Sequence, residues 1–426
     1  MRVRLAYGER GLETELPDGR TTVVEPAYHP GADDQRAVLR HALEAPTAGP
    51  RLRDIARRGA GVAISMCDGT RPQPRHLMIP AVLEELDGRI DLDDVVVLVA
   101  TGTHRGNTDA EIRAMLGDEV FGRVHVVNHD ARDRDSLVFL GERGDGVPVW
   151  LNRRWVEADV RITTGFVEPH FFAGFSGGPK LVAPGLAGLD TVLVLHNAKR
   201  IGDPHATWGV IEGNPVHDDI RAAAAAAAPH FAFDVILNRE QRIIAAFAGE
   251  LGRMHAAACA AARTYAMRAV AAPFDVVVTS NSGYPLDQNL YQAVKGMAAA
   301  AKVVKPGGLI VCAAECRDGF PGHGSYRELL TAHPSPRAFL RAIESVDVVT
   351  ADQWQFQIQA NVQHHARVVM HTDHLTDEEL RSAHLEQTHD IAGTVTEALD
   401  RAGPQSTVCV LPEGPQTIAY VADQPR

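Results

Sequence analysis

Asp94-Val-Val-Val-Leu-Val-Ala-Thr-Gly-Thr-His104 decides the fold. Its apolar run is mostly β-branched and has no polar side chain on either face, the pattern of a strand buried on both sides. It then breaks on Thr101-Gly-Thr-His104-Arg-Gly, small residues and a histidine. Strands of this kind belong to parallel sheets covered by helices. Gly61–Met66, Arg123–Asn128, Ala158–Thr164 and Phe231–Leu237 read the same way. Helical stretches separate them, among them Thr108–Leu116 and Pro215–Ala228, the latter with Asn214 as N-cap and proline at the first helical position. The expected class is α/β with mostly parallel sheets.

A long alanine-rich segment, Glu250–Ala271, reads as a helix broken by Ala272-Pro273. A second α/β pattern follows. Phe274–Ser280 is a strand, Asp287–Val304 a helix, Pro306-Gly307-Gly308 a turn and Leu309–Ala314 a further strand. Thr407–Leu411 and Thr417–Val421 close it. The expectation is two domains, 1–270 and 271–426.

With 42 Lys+Arg against 54 Asp+Glu, the net charge is −12. A phosphate backbone rewards a basic surface, so a nucleic-acid binder is not expected. No apolar run is long enough to span a bilayer, and the start lacks the apolar core of a secretory signal. A cytoplasmic protein without a membrane partner is the expectation. The five cysteines lack paired CxxC spacing and read as free thiols.

Four clusters can carry chemistry, each where a strand runs into a turn. Open α/β sheets bind ligands at the carboxyl ends of their strands. Asp68-Gly-Thr-Arg71-Pro72 offers a guanidinium suited to a carboxylate or phosphate, or is a surface turn. His104 follows the deciding strand and can act as a general base or be a satisfied turn histidine. The third cluster is Glu168-Pro-His-Phe-Phe-Ala-Gly-Phe-Ser-Gly-Gly-Pro-Lys180, with His196 beyond it. A lysine among glycines and apolar residues is a usable nucleophile, although the same loop can hold a phosphate. His170 follows a strand as His104 does, so both can face one cleft. In the fourth, Asn281–Gly296, Asp287 reads as the N-cap of a helix that puts Tyr291 and Lys295 on one face, with Gln292 beside them. Trp354, amid polar residues, can wall a pocket or simply pack.

In this order the clusters resemble the nickel-pincer lactate racemase family of 2-hydroxyacid racemases and epimerases. The resemblance covers Asp68–Pro72, Gly102–Arg105, Pro169–Lys180, His196, Gly213–His217, Gly283–Gly296 and Trp354. It implies two α/β domains with the active site in the cleft between them. It also implies a nickel-pincer nucleotide, a pyridinium thioamide-thiocarboxylate mononucleotide covalently bound at Lys180, with His196 as the protein's nickel ligand. By the same resemblance His104 and His170 are the acid/base pair, and Asp68, Thr70 and Phe172 contact the cofactor. Arg71, Tyr291, Gln292, Lys295 and Trp354 bind the substrate. The implied activity is racemisation or epimerisation of a lactate-like 2-hydroxy acid by proton-coupled hydride transfer through a 2-oxo acid, with pincer-cofactor maturation enzymes as partners. The alternatives are an NAD-dependent 2-hydroxyacid dehydrogenase, disfavoured by the absence of GxGxxG, and a non-catalytic two-domain ligand-binding module.

Overall fold

The computed structural model describes residues 1–321, 324–344 and 349–422. The chain divides into two compact units. One comprises Tyr28–His196 and His205–Arg263; the other comprises Met1–Ala27, Asn197–Pro204 and Thr264–Arg426. Among the described residues no helix is long and apolar enough to cross a membrane.

The first unit is built on a six-stranded sheet. Its spatial order is Ile243–Gly249, Phe231–Leu237, Val160–Phe166, Val62–Cys67, Val95–Ala100, His125–Asn128. All pairings are parallel except that of the edge strand Ile243–Gly249, which is antiparallel to Phe231–Leu237. Every residue of Val62–Cys67 is buried, as a central strand with both faces covered requires. Ile64, Met66, Val97 and Val99 share one core with Leu39 and Leu43 of the helix Gln35–Glu44, Met78 and Val82 of Arg75–Leu86, and Ile112 and Leu116 of Asp109–Leu116. The last helix starts on a capping box made by Thr108 and Glu111.

Chain order matters here. From Val62–Cys67 the chain adds Val95–Ala100 and His125–Asn128 on one side, then returns to place Val160–Phe166 and Phe231–Leu237 on the other. The switch point therefore lies between Val62–Cys67 and Val160–Phe166, which is where doubly wound sheets open a crevice.

The second unit carries six parallel strands in the order Glu386–Gln387, Arg367–His371, Val304–Ala313, Phe274–Ser280, Val408–Leu411, Thr21–Val23. A single boundary near residue 270 does not describe this arrangement. The first 27 residues group with the later part of the chain, because Thr21–Val23 completes its sheet edge. The alanine-rich helix stops at Ala266, short of the expected Ala271, because Met267–Val270 instead pairs with Ile418–Val421. The turn expected at Pro306-Gly307-Gly308 falls inside the strand Val304–Ala313, where the ladder skips from Val304 to Leu309. All five cysteines are free and buried, as expected of free thiols.

The helix expected over Asp287–Val304 runs from Leu290 to Ala300, and its N-cap is Asn289, which accepts from the Gln292 amide at 3.1 Å. Asp287 is drawn elsewhere: its Oδ2 accepts the amides of Gly8 at 2.8 Å and Glu315 at 3.0 Å. Gly296 lets this helix lie against the end of Phe274–Ser280, since a Cβ there would stand 2.4 Å from the Ser280 carbonyl oxygen. Gly296→Ala is therefore expected to destabilise the protein by about 1–3 kcal/mol in denaturant titration. A gain of about 1 kcal/mol, as in an open helix, would show that this contact does not constrain the helix.

Candidate active site

Three of the four clusters fall within the first unit, on loops following adjacent strands. Asp68–Pro72 follows Val62–Cys67, and His104 follows Val95–Ala100. The His170–Lys180 segment follows Val160–Phe166. The strands bearing the two histidines thus flank the central one, one strand apart. Gln73 ties two of these strands together, its Oε1 accepting from the Cys67 amide at 2.8 Å and its Nε2 donating to Thr164 Oγ1 at 3.0 Å.

The first product of this arrangement is a dyad. His104 Nδ1 lies 2.7 Å from Asp68 Oδ2. The carboxylate is buried, with 4% of its side chain exposed, while the imidazole is 47% exposed. Thr70 donates to the other oxygen, Oδ1, through its hydroxyl at 2.7 Å. Burial pushes the Asp68 carboxyl up, but the hydrogen bond and charge of His104, with Arg71 and Thr70, outweigh it and hold the group below its usual range. An ionised Asp68 accepts Nδ1–H and leaves the His104 Nε2 lone pair facing outward, the state of a general base. The dyad borders a cavity of about 310 Å³ lined also by Asn107, Glu111 and Met115.

His170 is anchored the opposite way. It lies on a two-strand ribbon, Pro169–His170 against Gly174–Phe175. Its Nδ1 accepts the Ala173 amide at 3.2 Å, so the neutral ring carries its proton on Nε2. Each ring is thus held at Nδ1, one by a carboxylate and the other by a backbone amide.

Phe172 gathers the rest. Its ring meets those of His170 at 4.5 Å and His196 at 5.3 Å edge-on, and Lys180 Nζ stands 5.9 Å above it. His196 ends the helix Leu189–Leu195, and its Nδ1–H donates to the Val192 carbonyl at 2.7 Å. In the neutral ring that bond places the proton on Nδ1 and the lone pair on Nε2. Burial is the main reason its pKa falls to about 4, with the Lys180 charge adding to the fall and the Val192 bond opposing it. The ring is therefore neutral near pH 7, the form a metal needs. Among the described residues no group of three or more His, Cys, Asp or Glu side chains is assembled to hold a metal.

The second unit holds the fourth cluster. Tyr291, Gln292 and Lys295 lie on Leu290–Ala300, with Tyr291 and Lys295 four apart on one face. The Tyr291 ring meets Tyr326 edge-on at 5.3 Å. Trp354 lies on the helix Gln353–His365, buried apart from 9% of its surface. The neighbouring Gln355 donates to the Tyr291 carbonyl, so one helix fixes the other.

Asp234, His217 and His255 are buried polar groups of the first unit to which the sequence reading assigned no role. The signal for Asp234 was present: an acid at the centre of the otherwise apolar Phe231–Leu237.

A parallel α/β frame thus carries an Asp–His dyad, a second histidine and a buried neutral imidazole near a lysine, a set of groups able to exchange protons. Residues 7–209 match the model of the lactate racemase N-terminal domain, and residues 269–419 that of the lactate racemase C-terminal domain. The lactate racemase of Thermoanaerobacterium thermosaccharolyticum is 35% identical over 421 residues, 98% of each chain. That of Lactiplantibacillus plantarum is 34% identical over 418 residues, covering 97% of this chain and 98% of that one. The structure of the Thermoanaerobacterium apoprotein superposes with a TM-score of 0.92 at 34% identity, over 98% of this chain and all of the other. A Thermotoga maritima protein with a TM-score of 0.66 and 19% identity, covering 92% of this chain and all of that one, shares the fold. The chain belongs to the lactate racemase family, and it is an isomerase of the racemase type.

Nitrogen-resolved NMR of the imidazoles in the protein without cofactor checks the two anchors. His104 is expected as the Nδ1–H form and His170 as the Nε2–H form. The same tautomer at both would contradict the geometry.

Proposed function

We propose that this protein interconverts the enantiomers of a lactate-like 2-hydroxy acid, with His104 and His170 as its acid/base pair. The observation that carries the reading is the gathering of His170, His196 and Lys180 around Phe172. The Asp68–His104 dyad, on the turns after the next two strands, supports it.

The residues fit the nickel-pincer nucleotide that the sequence resemblance implies. Lys180 offers an amine for a covalent tether, and His196 a neutral Nε2 for nickel. Phe172 offers an apolar face beside both. When bound, the group supplies reversible acceptance of hydride.

Hydride chemistry suits the substrate. Taking the α-proton from a 2-hydroxy acid leaves a carbanion next to a carboxylate, whereas losing hydride leaves a neutral ketone, the 2-oxo acid. His104 Nε2 takes the hydroxyl proton as the C–H bond breaks, and Asp68 steadies the resulting imidazolium. His170, entering this step as the imidazolium with its Nδ1 released from the Ala173 amide, returns its Nε2 proton to the oxygen when the C–H bond re-forms on the opposite face and is left neutral, and exchange with solvent resets both rings. In the reverse direction the two histidines exchange tasks. Two mirror-related products call for a proton-transfer group on each side of the substrate, the part His104 and His170 would take. Arg71 and Lys295 are the cations suited to a substrate carboxylate. Tyr291, Gln292 and Trp354 are the proposed substrate-contacting residues of their own unit. Pincer-cofactor maturation enzymes are the partners this chemistry requires.

Protein co-produced with such enzymes is expected to carry the added cofactor mass in intact-protein spectrometry, and Lys180→Ala to lose it. His104→Ala and His170→Ala are each expected to slow racemisation by about 10²–10⁴-fold in a chiral assay. Unchanged mass in the lysine variant refutes the tether. Undiminished racemisation in either histidine variant refutes the pair.

A further inference from the structure

The turn that presents Lys180 is held from beneath by three buried polar side chains on three different elements. The Ser65 hydroxyl, on the central strand, donates to the Leu181 carbonyl at 2.7 Å. Asp234 Oδ2, on Phe231–Leu237, accepts the Gly178 amide at 2.7 Å. His255 Nε2, on the helix Leu251–Ala266, donates to the Ser176 carbonyl at 2.9 Å. Ser65 and Asp234 are fully buried and His255 is 4% exposed. The fit leaves no slack. A Cβ on Gly178 would stand 2.4 Å from the His255 ring, and one on Gly177 would stand 2.8 Å from Asp234 Oδ2. Both glycines have positive φ, 72° and 50°, a conformation that other residues resist.

Burying a carboxyl at the centre of a strand costs stability, and its second oxygen, Oδ1, has no hydrogen-bond partner among the described residues. Burial raises the pKa of Asp234 to about 7, against the opposing pull of the Gly178 amide. A packed apolar residue would serve the core better. Such a cost points to a positional task.

We propose that Ser65, Asp234 and His255 are positioning residues for Lys180, a three-point clamp that fixes the Ser176–Leu181 turn and so the direction of the lysine amine. The clamp gives the tether reading its rigid base and rests on that reading. Its test does not, because it uses the protein without cofactor. Lys180 is acylated with N-hydroxysuccinimidyl acetate and its rate read by peptide mass spectrometry, with Lys305 of the other unit as internal standard. Exchange of the Gly178 amide is followed in parallel.

Asp234→Ala and His255→Ala are each expected to raise Lys180 acylation at least fivefold relative to Lys305, and Gly178 exchange at least tenfold, with the melting transition still cooperative. Asp234→Asn retains an oxygen to accept from Gly178 and is expected to restore both values to within twofold of the parent. A loss of general stability alone would not be rescued in this selective way. If the alanine variants do not fold, Ser65→Ala, which removes one hydroxyl and little bulk, decides the matter by the same two readouts at a threefold threshold. Rates within twofold of the parent in folded variants overturn the clamp. They leave the tether itself untouched, since that is read from the mass of the loaded protein.

Discussion

The parallel pairing of Val62–Cys67 to Val95–Ala100 on one side and Val160–Phe166 on the other governs the rest of the first unit. Parallel strands all end on the same edge, and the chain reverses its winding direction between the first and third of these. The crossovers diverge there, so the turns after the three strands are left to one another. Asp68, His104 and the Lys180 segment all leave from that edge. Slipping the central strand by one residue would exchange its faces. Ser65, which holds the Leu181 carbonyl, would then point into the apolar core shared by Ile64 and Met66.

On that frame the polar groups are kept in defined states by what touches them. Asp68 remains ionised despite burial because His104 and Thr70 both donate to it. His196 remains neutral because burial outweighs its bond to Val192. His104 and His170 differ because one leans on a carboxylate and the other on a backbone amide. Similar residue types are thus held in different states by their anchors. In a low-dielectric site such anchors cost no reorganisation during the reaction.

Much of the frame was legible in the sequence. The buried strands announced themselves by unbroken apolar runs, and Asn214 capped its helix as read, accepting from the Val216 and His217 amides. Local patterns failed where a distant partner decided. Met267–Val270 continues a helical composition yet becomes a strand because Ile418–Val421 offers a ladder. Asp287 has the chemistry of an N-cap, but Gly8 and Glu315 claim it and Asn289 takes the cap. Thr21–Val23 is too short to be read as a strand until Val408–Leu411 pairs with it. The candidate residues were visible because histidines and a lysine among glycines are conspicuous. The dyad was not, because Asp68 and His104 lie 36 positions apart and meet only once their strands pair. Nor was the support beneath Lys180, which comes from Ser65, Asp234 and His255 on elements remote in sequence.

Under the proposed function the hydrogen on the substrate's α-carbon leaves and returns as hydride, while the two histidines handle only the hydroxyl proton. Racemisation of a single lactate enantiomer by the cofactor-loaded protein in D₂O, with mass spectrometry of both enantiomers at early conversion, tests this directly. With hydride transfer the newly formed enantiomer is expected to keep its α-hydrogen and to acquire no carbon-bound deuterium. Deuterium at the α-carbon of the product, accumulating in step with inversion, would contradict it and make His104 and His170 carbon acids' bases instead.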